Sequence, residues 1–410
     1  MSATSTAEKT PATVPPELVM EGDFDAFAAE GDDPFLAIAR LHDGPPIRWG
    51  VEANFKRPGW ILTRHDLISE AFIDWAHFSA ERPGMIAEML GEPVLLNPIE
   101  IDPPMHHQYR RILNPFFTPG AVKNFDEPVR QICQELIAKF KDRGECEFVD
   151  EFAVPFPSYV FLDLMGMPRE MLDQFIGWQN DLMRGTDPMV RVAAARSIYA
   201  YLKQHMEAQK ANPTNDFLRA MVNGEVEGRP ISYYELMGMF YVLYVGGLDT
   251  VYSTIGWIMH HLATHPELQA RLRASPELLP QAVEEFCRAF SVVVTHRSVR
   301  EDFTFHGVPM KKGDEVNLPI MLANRDPAVF ENPHVIDIDR KPRHITFGTG
   351  THNCLGLHLA KREIRIVLEE FLKAFSDIRI SPNQIPRYHT GRTFGLDYLP
   401  LTCIPGPPPA

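Results

Sequence analysis

The chain is read as mainly α-helical with a small β region, and three observations lead there. The middle of the sequence is a succession of amphipathic stretches with apolar residues at helical spacing. One stretch, from Ser232 to His265, is apolar nearly all round and far longer than an ordinary globular helix, so it belongs in a core rather than on a surface. Patterns typical of strands and turns are confined to the two ends of the chain.

Taken in order, residues 46–63 predict strands: Ile47-Arg48-Trp49, then Trp60-Ile61-Leu62-Thr63 after the Pro58-Gly59 break. Residues 65–80 predict a helix, and residues 83–104, with scattered Pro and Gly, an irregular stretch. A helix starts after Asp102-Pro103-Pro104 and runs through Tyr109 to Leu113. Further amphipathic segments cover residues 125–140 and 172–181. Ser232 and Glu235 have capping-box spacing at the start of the long helix, and Pro266 stops it after about 50 Å at 1.5 Å per residue. Residues 303–318 predict a hairpin around Lys311-Lys312-Gly313-Asp314, residues 358–375 a helix, and residues 386–403 strands and turns.

The 410 residues are 45% hydrophobic, enough for a large core. No repeat or linker divides them, so residues 21–404 are taken as one domain between a disordered tail (1–20) and a frayed C-terminus (405–410). A net charge of −14 argues against a nucleic-acid binder. No apolar run at the start suggests a leader or anchor, and Glu235, Asp249 and His260-His261 make the long helix a poor membrane span. The expectation is a cytoplasmic monomer. Five scattered cysteines, without a CxxC pair, fit a reducing compartment.

The strongest chemical signal is Phe347-Gly348-Thr349-Gly350-Thr351-His352-Asn353-Cys354-Leu355-Gly356. A thiolate that ligates iron must be deprotonated and protected. Cys354 lies just ahead of a helix, whose N–H groups and dipole favour the thiolate. Gly350 and Gly356 allow tight turns and close approach, and Phe347 would lower the dielectric beside the sulfur. A zinc site from His352, Cys354 and His358 is the rival, with only three ligands. A free cysteine in a Gly-rich loop is the plain alternative.

The loop matches FxxGxxxCxG and resembles the heme signature of the cytochrome P-450 family, closest to the bacterial camphor hydroxylase branch. That resemblance implies the cytochrome P-450 fold and a heme-thiolate monooxygenase using heme b (iron protoporphyrin IX), with Cys354 as the metal ligand. Phe347, Gly350 and Gly356 would line the cofactor. Glu285 and Arg288 match the family's ExxR, with Arg340 completing a structural charge network. His106 and Arg110 match its HxxxR; with Arg297 and His352 they would bind the heme propionates, since two carboxylates call for Arg and His donors. Gly246-Gly247-Leu248-Asp249-Thr250 resembles the family's acid–alcohol segment. Gly246 would leave room for dioxygen, and Asp249 and Thr250 would be the catalytic pair that manages protons. Two glycines weaken a helix interior by about 1 kcal/mol each, which calls for a reason. Thr250 could bond back to the Gly246 carbonyl and open the helix there.

No flavin or nicotinamide domain is recognisable, so the resemblance implies electrons from a [2Fe–2S] ferredoxin and its NAD(P)H-dependent ferredoxin reductase. Arg110, Arg111, Arg340, Lys341 and Arg343 would face that partner. The substrate pocket is read as Val94, Leu96, Val242, Val245, Val293 and Arg392. The camphor-binding tyrosine of the relatives has no counterpart between residues 81 and 100. The wall is aliphatic, and the expected substrate is a small, mainly hydrophobic cyclic molecule of terpenoid or norisoprenoid type. Arg392 leaves a small aromatic acid as an alternative. A peroxide-driven or nitric-oxide-reducing heme enzyme and a non-catalytic heme-thiolate sensor are further alternatives.

Overall fold

The structure is a computed structural model that describes residues 10–20, 22–29, 33–54, 57–81 and 84–406. Its backbone divides into two compact units that alternate along the chain. One comprises Met1–Arg82, Glu284–Cys354 and His389–Gly395; the other comprises Pro83–Val283, Leu355–Tyr388 and Leu396–Ala410.

The first unit is built on a five-stranded sheet in the order Ile47–Asn54, Arg57–Leu62, Glu315–Pro319, Val294–Val299, Phe78–Ser79. The first two strands pair antiparallel with Ile47 opposite Leu62 and Trp49 opposite Trp60. Glu315–Pro319 runs parallel to the second strand and antiparallel to Val294–Val299. The two tryptophan rings meet edge to face at 5.0 Å. With Leu67, Ile68 and Phe72 from the helix His65–Ile73, they form the buried core of this unit.

The second unit is mostly helical. Its helices include Met105–Leu113, Asp126–Ala138, Pro155–Leu164, Leu172–Arg184, Pro188–Ala211, Tyr233–Gly247, Thr250–Thr264 and Leu357–Ala374. A three-stranded antiparallel sheet joins Phe375–Ile380, Pro400–Pro405 and Glu145–Glu147. Phenylalanines knit this unit together: Phe152 packs on Phe371 at 4.6 Å and on Phe148 and Phe156 at 5.3 Å. Among the described residues no helix is long and apolar enough to cross a membrane.

Four local expectations are corrected. The helix read over 65–80 stops at Ile73; Asp74 leaves helical geometry and binds His77 Nδ1 at 2.6 Å, and Phe78 goes on to pair with Val299 in the sheet. Burial of Phe78 outweighs the helical pattern. The hairpin joins Phe303–Phe305 to Val308–Met310 through His306 and Gly307, both at positive φ, while Lys311-Lys312-Gly313-Asp314 turns the chain into Glu315–Pro319. Part of the expected tail is packed: Val14 and Met20 are buried, and the Met20 N–H donates to the Trp49 carbonyl at 2.8 Å. Residues 1–9 and 407–410 of the expected tail and frayed end lie outside the described residues. The fourth correction, to the long helix, belongs to the site.

Candidate active site

The cysteine loop is set by its own backbone bonds. The Cys354 N–H donates to the Phe347 carbonyl at 2.8 Å, and Gly348 N–H to the Ile345 carbonyl at 2.8 Å. Asn353 Nδ2 crosses the loop to the Gly348 carbonyl at 3.0 Å. Gly348 and Gly350 both adopt φ of +69°, where a side chain is strained. At Gly350 a Cβ would also stand 3.1 Å from the Phe72 carbonyl oxygen. Gly356 differs from expectation: its φ of −83° suits any residue, so it makes no special turn, and a Cβ there would project into open space. Cys133, Cys146, Cys287 and Cys403 are buried, and Cys354 is the exposed one. Burial pushes the Cys133 thiol up, and a hydrogen bond with Cys403 and then burial push the Cys146 thiol up, away from thiolate chemistry.

Beneath the loop, Glu285 and Arg288 are both fully buried and bond through two contacts of 2.7 and 2.8 Å. The remaining Arg288 donors reach the carbonyls of Asn324 and Pro333 at 2.9 Å and of Val335 at 3.1 Å. Arg340 Nε donates to Glu285 Oε1 at 3.2 Å, and the Asp337 N–H to the same oxygen at 3.0 Å. The three charged residues picked out by motif are thus in direct contact. Asn324 escaped sequence reasoning because a single asparagine carries no pattern. It is fully buried; its Nδ2 donates to Ser291 Oγ and Thr346 Oγ1, and its Oδ1 accepts from the Ile345 N–H at 2.9 Å. Asn324 therefore ties the charge network to the residues that lead into Phe347.

Arg297 is buried, with Nη1 on the His296 carbonyl at 2.8 Å and its guanidinium 5.3 Å from the Phe72 ring, the same ring that faces Gly348. His352 closes the short turn Gly350–His352 and is half-buried. In the other unit His106 is buried, whereas its neighbour His107 is exposed, so of the two it is His106 that turns inward. Arg110 is half-buried, and its Nε donates to Asn114 Oδ1 at 2.8 Å.

The long helix is two helices, Tyr233–Gly247 and Thr250–Thr264, and this is the fourth correction. Its start is as expected: Ser232 and Glu235 form a capping box. At Asp249 the backbone turns to φ −132°, ψ −46° and the ladder opens. The opening is held by groups other than the expected Thr250-to-Gly246 bond. Gln179 Nε2, from the helix Leu172–Arg184, donates to the Val245 carbonyl at 3.1 Å. The two glycines have separate reasons. A Cβ at Gly247 would stand 2.3 Å from the Phe161 ring, so helix packing forbids one; a Cβ at Gly246 would enter open space. Gly246 is exposed, and Val242, Val245 and Thr250 are partly so, as are their neighbours Leu243, Gly247 and Val251. Val242, Val245, Gly246 and Thr250 form one open stripe at helical spacing.

Asp249 is buried and faces away from any solvent role: its Oδ1 accepts from Arg184 Nη2 at 2.5 Å. The same Arg184 nitrogen donates to the Tyr252 hydroxyl at 3.0 Å. Burial, and then Asp249, hold the Tyr252 phenol far above its ordinary range. Neither Arg184 nor Tyr252 was picked from the sequence; Arg184 is distant along the chain, and Tyr252 is an ordinary apolar-face residue by spacing.

Of the proposed pocket residues, Val94 is fully buried, and Leu96 N–H donates to Glu100 Oε2 at 2.9 Å. Their segment is pinned to the helix Tyr233–Gly247: Asn97 Nδ2 donates to the Glu235 carbonyl at 3.0 Å, and at Gly238 a Cβ would collide with the Leu95 carbonyl oxygen. Val293 is half-buried and bridges Thr393. Arg392 lies with Nη2 3.3 Å from His296 Nδ1. His296 and Arg297 are successive residues of one strand, so their side chains leave opposite faces. Arg392 meets the face opposite Arg297.

Heme b fits these residues, each unit taken by itself: the first has an exposed cysteine in a tight glycine loop together with Arg297 and His352, and the second has an inward-turned His106, Arg110 and glycines at 246 and 356 whose Cβ positions open onto space. A zinc site does not fit, since no group of three metal-ligating side chains comes together among the described residues.

Comparison with known proteins agrees. The family model described as "Cytochrome P450" matches residues 189–396. A probable cytochrome P450 127A1 of Sinorhizobium fredii is 37% identical over 402 residues, covering 96% of both chains. The steroid C26-monooxygenase of Mycobacterium tuberculosis (strain CDC 1551 / Oshkosh) is 31% identical over 328 residues, covering 77% of this chain and 88% of its own. Among solved structures, CYP101J2 superposes with a TM-score of 0.85 at 32% identity, covering 96% of this chain and 99% of that one. A half-matching family model, full-length relatives and an exposed cysteine in the signature loop lead to one conclusion: this chain belongs to the cytochrome P450 family, with its fold, its heme b cofactor and its monooxygenase chemistry.

Proposed function

We propose that this protein hydroxylates a compact, mainly hydrophobic, uncharged cyclic molecule, drawing electrons from a [2Fe–2S] ferredoxin and its reductase in the cytoplasm. The open stripe of Val242, Val245, Gly246 and Thr250 carries the proposal: three of its four members are apolar, and the fourth supplies a hydroxyl beside a buried acid. Leu96 adds aliphatic surface from a segment fastened to the same helix, whereas Val94 is fully buried and adds none. The relatives named for steroid oxidation, and the solved CYP109E1 complex with testosterone, belong with uncharged polycyclic substrates and so extend the class upward in size.

When bound, heme binds and activates dioxygen. The chain does the rest. Cys354 presents the thiolate, and Glu285, Arg288, Arg340 and Asn324 keep its loop in place. His106, Arg110, Arg297 and His352 supply the cations and donors for two carboxylates. Thr250 donates a hydrogen bond from its hydroxyl on the open stripe, and Asp249, once released from Arg184, passes it protons.

The position of Arg392 supports an uncharged substrate over an aromatic acid, because its guanidinium is engaged at His296 on the face opposite Arg297. The test is a spin-state titration of neutral terpenoids, a steroid and benzoate-type acids against wild type and Arg392→Leu. Neutral ligands that bind both proteins alike support the proposal. Acid binding that collapses in Arg392→Leu overturns it. Turnover with NADH and a surrogate ferredoxin pair separates an enzyme from a sensor, which would bind ligands without forming product.

A further inference from the structure

We infer that Gln179 is a positioning residue for Thr250: its amide keeps the two central helices parted and so sets the angle at which the second, Thr250–Thr264, begins. The role rests on Thr250 managing protons, as in the proposed function. Gln179 Nε2 donates to the Val245 carbonyl at 3.1 Å. In an unbroken helix that carbonyl accepts from the N–H four residues on, at Asp249. Here the first helix ends at Gly247, Leu248 and Asp249 leave helical geometry at φ −108° and −132°, and Thr250 starts afresh. The Gln179 amide thus stands in for the Asp249 N–H at the point where the ladder parts. Phe175 lies one turn earlier in the helix Leu172–Arg184, and its carbonyl accepts from the Tyr244 hydroxyl at 2.7 Å. Two residues of that helix therefore grip two successive residues of the other, Tyr244 and Val245.

Stability alone does not explain a glutamine at this place. Gln179 is 1% exposed, and among the described residues no donor reaches its Oε1. The amide cannot turn round to find one, because the Val245 carbonyl only accepts and would then face a second oxygen. A buried amide oxygen without a donor is destabilising, and an unbranched apolar side chain of similar length would avoid it. The donor to Val245 is what the amide adds.

Gln179→Met removes that donor and keeps the length of the side chain; Gln174→Met, on the exposed side of the same helix, is the control. The first readout is hydrogen–deuterium exchange of the holoenzyme, followed at the Asp249 amide by mass spectrometry. Without Gln179 the Val245 carbonyl takes the Asp249 N–H, and exchange there should slow by about two- to tenfold, the worth of one hydrogen bond, while the control stays as wild type. The urea midpoint of Gln179→Met should be no lower than that of wild type. Product per NADH should fall by about two- to tenfold, and adding Gln179→Met to Thr250→Ala should lower it no further, because Gln179 acts through that hydroxyl. Unchanged exchange at Asp249, or a lowered midpoint, overturns the role of Gln179. Slowed exchange with unchanged product per NADH also overturns it and leaves a helix contact alone. If Thr250→Ala itself leaves product per NADH unchanged, the proton reading of Thr250 has failed, and exchange at Asp249 still decides whether Gln179 parts the helices.

Discussion

Replacing Arg288 by Lys should destabilise the protein severely although the charge is kept. The guanidinium makes five hydrogen bonds in a site with no exposure: two to Glu285 and one each to the carbonyls of Asn324, Pro333 and Val335. An ammonium has three donors and no planar fork, so at least two of these five acceptors lose their partner. A buried acceptor left unsatisfied costs about 1–3 kcal/mol, giving roughly 2–6 kcal/mol for two. Arg288→Ala goes further, since it leaves Glu285 Oε2 without its donor and Oε1 with only Arg340 Nε and the Asp337 N–H; breaking a buried pair costs about 3–5 kcal/mol before the three carbonyls are counted. Against a total stability of about 5–15 kcal/mol, the Ala variant should not accumulate folded, and the Lys variant should fold with a much lower midpoint. The assay is urea denaturation followed by far-ultraviolet circular dichroism, with heme content measured on the same samples. An Arg288→Lys midpoint equivalent to within about 0.5 kcal/mol of wild type, a change typical of surface substitutions, would refute this account of the network.

Reduced wild-type protein with carbon monoxide should show the strongly red-shifted absorption band of a thiolate ligand, and Cys354→Ser should lose it; a retained band would place the ligand elsewhere. Thr250→Ala should still consume NADH but yield product per NADH lower by about tenfold or more, the remainder appearing as peroxide or water, because proton delivery loses its hydroxyl; an unchanged ratio would remove Thr250 from the mechanism. Glu363 in the helix Leu357–Ala374 is buried, and desolvation pushes its carboxyl up to about 8. Its folded value therefore lies above its unfolded value of 4.5, so the folded state is favoured below pH 4.5 and that advantage is lost as pH rises towards 8. Glu363→Gln should remove this loss, so the stability gap in favour of the variant should widen between pH 5 and 8; a gap that stays constant by chemical denaturation would show that the group ionises without penalty.

The chemistry-bearing core of this protein was legible in its sequence because each part is local. FxxGxxxCxG lies in one loop whose first glycine, Gly350, is demanded by positive φ, although Gly356 is not. Glu285 and Arg288 are one helical turn apart, and Asp249 and Thr250 are adjacent in the chain. The capping box at Ser232 and the two-glycine anomaly could likewise be found by spacing and propensity alone.

What only the tertiary structure decided are the partners brought in from distant segments. Arg184 on Asp249, Gln179 on the opened Val245 carbonyl and Asn324 between the charge network and the cysteine loop each depend on which helix or turn folds against which, and no short-range pattern encodes that. The two glycines illustrate the divide. The sequence predicts that both need a reason; the fold supplies two, with Phe161 packed against Gly247 and open space beside Gly246. Arg392 makes the same point for specificity. The sequence permits it to face a substrate, whereas the strand alternation that separates His296 from Arg297 carries its guanidinium to the other side. Local chemistry follows from residue type and spacing, but the direction a side chain faces follows from the elements packed around it.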